Sequence, residues 1–182
     1  MFEFLTIMIG IMGITSQISK TFTFPNPVNE VSARTVAAGV VVLAVTTIVT
    51  GAHLLVLVLL YGFAARVAAG PRFSPLGLLA TKVIVPKLPL EPKIVAGPPK
   101  RFAQAIGLTF SLAATIAYLV IGSSVAGNVI LGALTVAAFM ESALGLCLGC
   151  KIFGVLIRLG LIPDEVCADC ANIWNRQKAA AI

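Results

Sequence analysis

The four cysteines of the chain are the residues whose type and spacing could do chemistry. They form two C-x-x-C pairs within 24 residues, Cys147 with Cys150 and Cys167 with Cys170. Two such pairs can supply the four thiolates of a tetrahedral zinc or iron site, and each pair alone has the spacing of a redox dithiol. The sequence therefore predicts either a metal site or a dithiol that cycles, with all four cysteines as site residues.

The composition excludes a soluble globular protein. Hydrophobic residues make up 59% of the chain and charged residues 11%, whereas soluble domains carry about 25% charged residues. Mean hydropathy is +1.04. The net charge of +6 does not indicate nucleic-acid binding, because the basic residues lie between apolar runs without interleaved aromatic residues. A lipid bilayer is the expected partner, with anionic headgroups facing the basic residues.

Four apolar runs predict an all-α integral membrane protein with four transmembrane helices in two antiparallel hairpins. The predicted spans are Ser32–Thr50, Leu54–Ala69, Phe102–Ile121 and Val129–Cys147. Leu76–Val85 is too short to span and is predicted to be an interfacial helix, and the proline-rich stretch Pro86–Pro99 is predicted to be an extended loop. The predicted domains are an apolar or interfacial segment (1–25), a four-helix membrane domain (26–151) and a cytoplasmic tail that contains cysteines (152–182).

The distribution of basic residues predicts which side of the membrane the cysteines face. None of the 13 Lys and Arg residues lies in the two short turns 50–53 and 122–128. With an even number of spans, all other connecting segments share one side, and the positive-inside rule makes that side cytoplasmic. We therefore expect a multi-pass protein of the inner or plasma membrane, with both termini and all four cysteines in the cytoplasm, where thiols stay reduced.

Charged residues within the spans are further candidates for function. Glu141 lies inside the fourth predicted span, and an intramembrane carboxylate is costly unless it is paired or protonated. We expect it to pair with Arg34 or Arg66, or to carry a proton or ligand in a small transporter or channel. Together with Arg101, these arginines are predicted at the same face as the cysteines, where cations lower thiol pKa values or bind anionic headgroups. Helix geometry directs Glu141 away from Cys150, because nine residues correspond to a rotation of about 180°.

Four motifs occur together in the chain: Phe24-Pro-Asn-Pro-Val-Asn-Glu30 with Arg34, Gly70-Pro-Arg-Phe-Ser-Pro75, Lys100-Arg-Phe-Ala-Gln104 with Gly107, and Cys147-Leu-Gly-Cys150. In this combination the chain resembles a bacterial family of small membrane proteins catalogued as domain of unknown function 4395. The ending from Ile162 to Cys170 resembles the actinobacterial branch. The resemblance implies a small helical membrane protein without an established activity. It also implies an association with thioredoxin-like and sulfurtransferase genes, which favours thiol or sulfur chemistry.

The leading hypothesis is a membrane-bound thiol protein whose two cysteine pairs relay electrons or sulfur at the cytoplasmic face. Cys147 and Cys150 would accept electrons or persulfide sulfur from a soluble thioredoxin-like or sulfurtransferase partner, and Cys167 and Cys170 would pass them on. One alternative is a four-thiolate zinc or iron site that fixes the tail of a scaffold or of a subunit of a larger membrane complex. A second alternative is a transporter or channel component that uses Glu141.

Overall fold

The structure, a computed structural model, describes residues 24–89 and 91–163. Its elements in chain order are β1 (Val28–Asn29), α1 (Glu30–Thr50), α2 (Leu55–Ala69), α3 (Pro75–Leu78), β2 (Ile94–Val95), α4 (Gly97–Thr115), α5 (Ser124–Leu144) and α6 (Leu148–Arg158). A 3-10 turn at Gly70–Arg72 precedes α3. The π-helical segment Leu79–Ile84 and the 3-10 turn Val85–Lys87 extend α3, and the π-helical segment Ile116–Val120 extends α4. Most of the predicted N-terminal segment, and Cys167 and Cys170, lie outside the described residues.

Four helical segments are long and apolar enough to cross a membrane. They are Glu30–Thr50, Leu55–Lys87, Gly97–Val120 and Ser124–Leu144. The most extensive helix contacts join α1 to α5 and α2 to α4, so the hairpin of α1 and α2 packs against the hairpin of α4 and α5. The predicted all-α membrane fold with four spans is therefore confirmed.

The bundle has an apolar interior and an apolar exterior. Val40, Phe63 and Leu131 belong to one core cluster that joins α1, α2, α4 and α5. On the outside, apolar side chains such as Val49 and Val125 are exposed. Such a surface is unfavourable in water and is matched by the hydrocarbon of a lipid bilayer.

The predicted interfacial helix, Leu76–Val85, is helical in the structure and consists of α3 and its extension. Ser74 caps it, because the Ser74 Oγ accepts a hydrogen bond from the Gly77 backbone amide at 3.3 Å. Leu76 packs closely against Gly39 of α1, where a Cβ would lie 2.9 Å from the Leu76 Cδ2. This segment therefore belongs to the folded body, and its position at a membrane interface stays a prediction.

The start of α4 differs from the prediction. We expected the third span to begin at Phe102 after an extended loop, but α4 begins at Gly97. Pro98 and Pro99 occupy its first turn, where the missing amide of proline leaves no helical hydrogen bond unmade. Directly before α4, β2 pairs antiparallel with β1, which ties the start of the third span to the start of the first.

The end of α5 also differs from the prediction. Gly145 has a left-handed backbone with φ +67°, and its amide donates to the Glu141 carbonyl, so it ends the helix. Cys147 therefore lies beyond the fourth span, not within it. The chain turns and starts α6 at Leu148, and α6 runs across the predicted domain boundary at residue 151. Gly145 allows this turn because a residue with a Cβ would be strained at that φ.

Candidate functional site

One end of the bundle collects the charged residues of α1, α2, α4 and α5. The starts of α1 and α4 and the ends of α2 and α5 meet there, because consecutive spans are antiparallel. We call it the charged end and define it by Glu30, Arg34, Arg66, Lys100, Arg101 and Glu141. Cys147 and Cys150 follow α5 and pack through α6 against the start of α4. The first cysteine pair therefore lies at the charged end.

Cys147 caps the helix to which Cys150 belongs. Its backbone is extended, with φ −79° and ψ 103°, and its sulfur accepts a hydrogen bond from the Cys150 backbone amide at 3.3 Å. The first amides of a helix lack helical partners, so a sulfur at this position meets donors that carry the positive end of the helix dipole. Both cysteines are free thiols; Cys147 is buried and Cys150 is half-buried. Cys147 thus lies directly before α6, and Cys150 lies in its first turn.

Gly149, inside the first cysteine pair, determines how closely α6 approaches α4. A Cβ on Gly149 would lie 2.6 Å from both the Cα and the Cβ of Ala103. One turn further along α6, the ring of Phe153 packs against the ring of Phe102, with centroids 5.5 Å apart. The glycine of the C-x-x-C motif therefore has a packing role, since only a residue without a side chain lets the two backbones come this close.

The two thiols are electrostatically unequal. The pKa of the Cys147 thiol is lowered, chiefly because the Cys150 side chain donates a hydrogen bond to it, and the positive charge of Lys100 acts in the same direction. The pKa of the Cys150 thiol is raised, chiefly because it is the donor in that hydrogen bond and also because it is buried. Cys147 therefore loses its proton more readily than Cys150 does. A nucleophilic thiol beside a protonated one is the arrangement that thiol–disulfide exchange uses.

Glu141 pairs with Lys100, a residue that was not among the predicted charge partners. The Lys100 Nζ and the Glu141 Oε1 are 2.7 Å apart, and the two side chains are only 7% and 13% exposed. The predicted pairing of Glu141 with Arg34 or Arg66 is therefore wrong. Because α4 begins at Gly97, Lys100 lies within the bundle rather than ahead of it. The sequence signal was the Gly-Pro-Pro that precedes Lys100, which suits a helix start.

Arg34 and Arg101 bind backbone carbonyl groups. Arg34 donates to the Ser142 and Ala143 carbonyls at 3.0–3.1 Å, and Arg101 donates to the Val67 carbonyl at 3.0 Å. These carbonyls lie in the last turns of α5 and α2, where carbonyls lack helical partners and carry the negative end of the dipole. Both arginines therefore stabilise helix ends.

Arg66 is buried, and no acid is bound to it within residues 24–89 and 91–163. Only 4% of the residue is exposed. Its Nε donates to the Gln104 Oε1 at 2.7 Å and its Nη1 donates to the Ser74 Oγ at 2.9 Å, while the guanidinium carbon lies 4.4 Å from the centre of the Phe63 ring. Its Nη2 is buried and has no hydrogen-bond partner among residues 24–89 and 91–163. The structure thus places an unused donor of a charged group inside the bundle.

A cavity of about 260 Å³ lies between the helices at the charged end. All four spans and α6 line it, and its polar side chains are Arg66, Gln104, Glu141 and Cys147, while its other lining residues are apolar. A smaller cavity of about 170 Å³, lined partly by Lys100, shares Arg66 and Gln104 with it. The helical rotation that was expected to direct Glu141 away from Cys150 does not apply, because α5 ends at Gly145 and does not continue to the cysteines.

The predicted metal site is not formed by the part of the chain that the structure describes. Within residues 24–89 and 91–163, no group of three or more His, Cys, Asp or Glu side chains could hold a metal ion. A four-thiolate zinc or iron site needs Cys167 and Cys170, which fall outside those ranges. That alternative stays a prediction.

Comparisons with known proteins identify the family. The family described as Domain of unknown function (DUF4395) matches residues 28–158, from β1 to the end of α6. Comparisons with curated proteins and with solved structures gave no match. The resemblance of the C-terminal residues to the actinobacterial branch stays a prediction. Since the match covers most of the chain, the protein belongs to the DUF4395 family of domains of unknown function.

Proposed function

We propose that this protein is a membrane-bound dithiol protein in which Cys147 is the nucleophilic thiol and Cys150 the resolving thiol. The pair exchanges electrons or sulfur with a soluble thioredoxin-like or sulfurtransferase partner and with Cys167 and Cys170. The observation that carries the proposal is the cap of α6: the Cys147 sulfur accepts the Cys150 amide, and the second thiol lies within one helical turn. Helix N-termini and C-x-x-C spacing are the settings in which cysteine thiols become reactive.

In the electron route, the Cys147–Cys150 disulfide is reduced by a partner dithiol. A partner thiolate attacks the Cys147 sulfur, so the disulfide breaks, a mixed disulfide forms and Cys150 leaves as a thiolate that takes up a proton. The second partner thiolate then attacks the partner's own sulfur in the mixed disulfide and releases the Cys147 thiolate. Two electrons have moved from the partner to the pair, and the same exchange run against a Cys167–Cys170 disulfide passes them on.

In the sulfur route, no electrons are transferred. The Cys147 thiolate attacks the outer sulfur of a partner persulfide, forms a persulfide on Cys147 and releases the partner's thiolate. A thiolate of the second pair then takes the outer sulfur from Cys147 in the same way. Because Cys147 is only 8% exposed, such an intermediate has little contact with water.

We place this chemistry at the cytoplasmic face of the plasma membrane, with both termini on that side. The positive-inside rule supports this orientation, because the spans carry their basic residues at the charged end and none of the Lys and Arg residues lies in the turns at 50–53 and 122–128. Cysteines introduced at Thr50 and at Lys151, in a protein whose native cysteines are replaced by serine, test it in intact cells. A membrane-impermeant maleimide should label the cysteine at position 50 and spare the one at position 151, and the reverse pattern would refute the orientation.

Trapping a mixed disulfide tests the chemistry. Full-length protein in which Cys167 and Cys170 are replaced by serine, so that the second pair cannot displace glutathione, is reduced in lipid nanodiscs, freed of reductant and mixed with glutathione disulfide. The Cys150→Ser variant should accumulate glutathione on Cys147, because no resolving thiol displaces it, whereas Cys147→Ser should accumulate little on Cys150. The wild type should form an internal disulfide instead. Equal labelling of the two single variants, or inertness of both, would refute the assigned roles.

A further inference from the structure

Among the polar side chains that line the 260 Å³ cavity, Arg66 is the one that keeps an unpaired donor within the described part of the chain. Arg66 is buried, its bound acceptors Gln104 and Ser74 are neutral, and its Nη2 has no partner within the described part of the chain. Leaving a buried donor unpaired is unfavourable, and more so when the group is charged. Arg66 also lines the cavity, so its unused donor indicates a ligand that enters the cavity and brings an acceptor oxygen.

The rim of this cavity is apolar. Its lining residues that are exposed on the surface are Phe110, Ala133, Leu148 and Ile152. Phe110 and Ala133 belong to the spanning helices α4 and α5, so the cavity meets the surface on a side that faces lipid. A ligand that enters there comes from the bilayer and not from water.

The size of the cavity limits the part of a ligand that fits inside. At about 260 Å³ it is smaller than the roughly 300–1,000 Å³ of pockets that enclose a drug-sized molecule. It can take one small ring with its substituents, and a longer apolar tail must stay outside in the lipid. Cys147 lines the same cavity as Arg66, so the enclosed part of the ligand meets a thiol as well as the guanidinium.

We propose that this cavity binds the head of a lipid-soluble quinone, which takes two electrons from the Cys147–Cys150 dithiol. This inference rests on the proposed function and names its membrane substrate. A quinone combines a flat apolar ring, carbonyl oxygens that can accept from the Arg66 Nη2, and the capacity to oxidise a dithiol. A fatty acid would also satisfy Arg66 but would leave the thiol without a role.

The reaction balances within the named groups. The Cys147 thiolate forms a bond to a ring carbon, and the ring gains the electron pair as an oxyanion that Arg66 stabilises. The Cys150 thiolate then attacks the Cys147 sulfur, which breaks the bond between sulfur and ring and forms the disulfide. The two thiol protons end on the two oxygens of the hydroquinone, so one dithiol and one quinone give one disulfide and one hydroquinone.

Oxidation of the reduced full-length protein in nanodiscs tests the proposal. The probe is a decyl benzoquinone with every ring carbon substituted, which prevents permanent arylation of thiols. Its loss of absorbance should equal the sum of the Cys147–Cys150 and Cys167–Cys170 disulfides found by differential alkylation and mass spectrometry. Ala137→Phe, which fills the cavity from α5, should slow this oxidation by about tenfold or more. The control Val136→Phe lies next to it on the lipid-facing surface, where Val136 is 60% exposed, and should leave the rate unchanged.

Two outcomes separate this inference from the dithiol proposal. The quinone site is refuted if glutathione disulfide oxidises the pair but the quinone does not. It is also refuted if the quinone oxidises Ala137→Phe as fast as the wild type. In both cases the dithiol proposal stands. If the cysteine pair exchanges with no disulfide at all, the proposed dithiol function is refuted. Equilibrium dialysis of the same quinone then tests whether the cavity binds it. Binding of the quinone to the Cys147→Ala variant would support the site if the further substitutions Arg66→Gln and Ala137→Phe weaken that binding. Absence of binding, or binding of oleate alone, would overturn it.

Discussion

Replacing Gly149 with alanine is predicted to undock α6 and expose Cys147. The new Cβ would lie 2.6 Å from Ala103 backbone and side-chain atoms. Because one of these atoms is the Cα of a spanning helix, no side-chain rotation relieves the overlap, and the start of α6 must move away from α4. Cys147 is the cap of that first turn, so its sulfur moves with it.

The size of the effect follows from the packing. Forcing an extra methyl group into a closely packed contact costs about 1–3 kcal/mol, and exchanging glycine for alanine in a helix returns up to about 1 kcal/mol of helix propensity. Gly154, on the same helix, has nothing within 4 Å of its would-be Cβ. Gly154→Ala therefore gains the propensity without the overlap. The difference between the two variants isolates the contact, and 1–3 kcal/mol corresponds to about 5- to 150-fold in the population of undocked helix.

Alkylation of Cys147 measures that population. The rate is followed by mass spectrometry at a pH about one unit above the ordinary thiol pKa of about 8.5, so that ionisation is not limiting. Gly149→Ala should raise the rate by the factor given above relative to Gly154→Ala, which should match or fall below the wild type. Equal rates in the two variants would show that the contact between Gly149 and Ala103 does not hold the cysteine pair in place.

Three further predictions concern the groups around the pair. Glu141→Gln leaves the Lys100 ammonium buried without its partner and should lower the free energy of unfolding by about 3–5 kcal/mol. The double variant Glu141→Leu with Lys100→Met should restore most of that stability. A single variant as stable as the double variant would contradict the buried ion pair. In the pH profile of alkylation, Lys100→Met should move the midpoint of Cys147 to higher pH, and Glu141→Gln should move it to lower pH. The reason is that Lys100 lowers the pKa of that thiol and Glu141 raises it. Shifts of the same sign in the two variants would refute these electrostatic roles. Cys150→Ala should also raise the midpoint, since the largest contribution to the lowered pKa is the hydrogen bond from Cys150, and an unchanged midpoint would remove that bond from the account.

The membrane fold was predictable because its physical signals are local. Apolar runs of sufficient length predict spans wherever they occur, and a single residue can show where a helix starts. Asparagine is favoured at the cap position, and in the structure the Asn29 Oδ1 accepts a hydrogen bond from the Val31 amide at 2.9 Å and caps α1. The C-x-x-C spacing likewise predicts Cys147 and Cys150 as site residues without any knowledge of the fold.

The site was predictable only in part because it depends on where two helices begin and end. Hydropathy runs without interruption from α5 through Cys147, so the stop at Gly145 is invisible to a pattern that only measures apolar length. The same pattern placed Lys100 ahead of its span, although the prolines before it fit a first helical turn. Which cation reaches Glu141, and the space that Gly149 leaves for Ala103, are results of packing between segments distant in sequence.

The measurement that tests the central claim most directly is the rate of alkylation of Cys147 and Cys150 as a function of pH, resolved by peptide mass spectrometry on the full-length protein in lipid. A Cys147 thiolate stabilised at the start of α6 predicts a midpoint for Cys147 below the ordinary thiol value of about 8.5, with Cys150 slow across the same range. Two cysteines that titrate together at or above the ordinary value would contradict a nucleophilic Cys147 and with it the proposed dithiol chemistry.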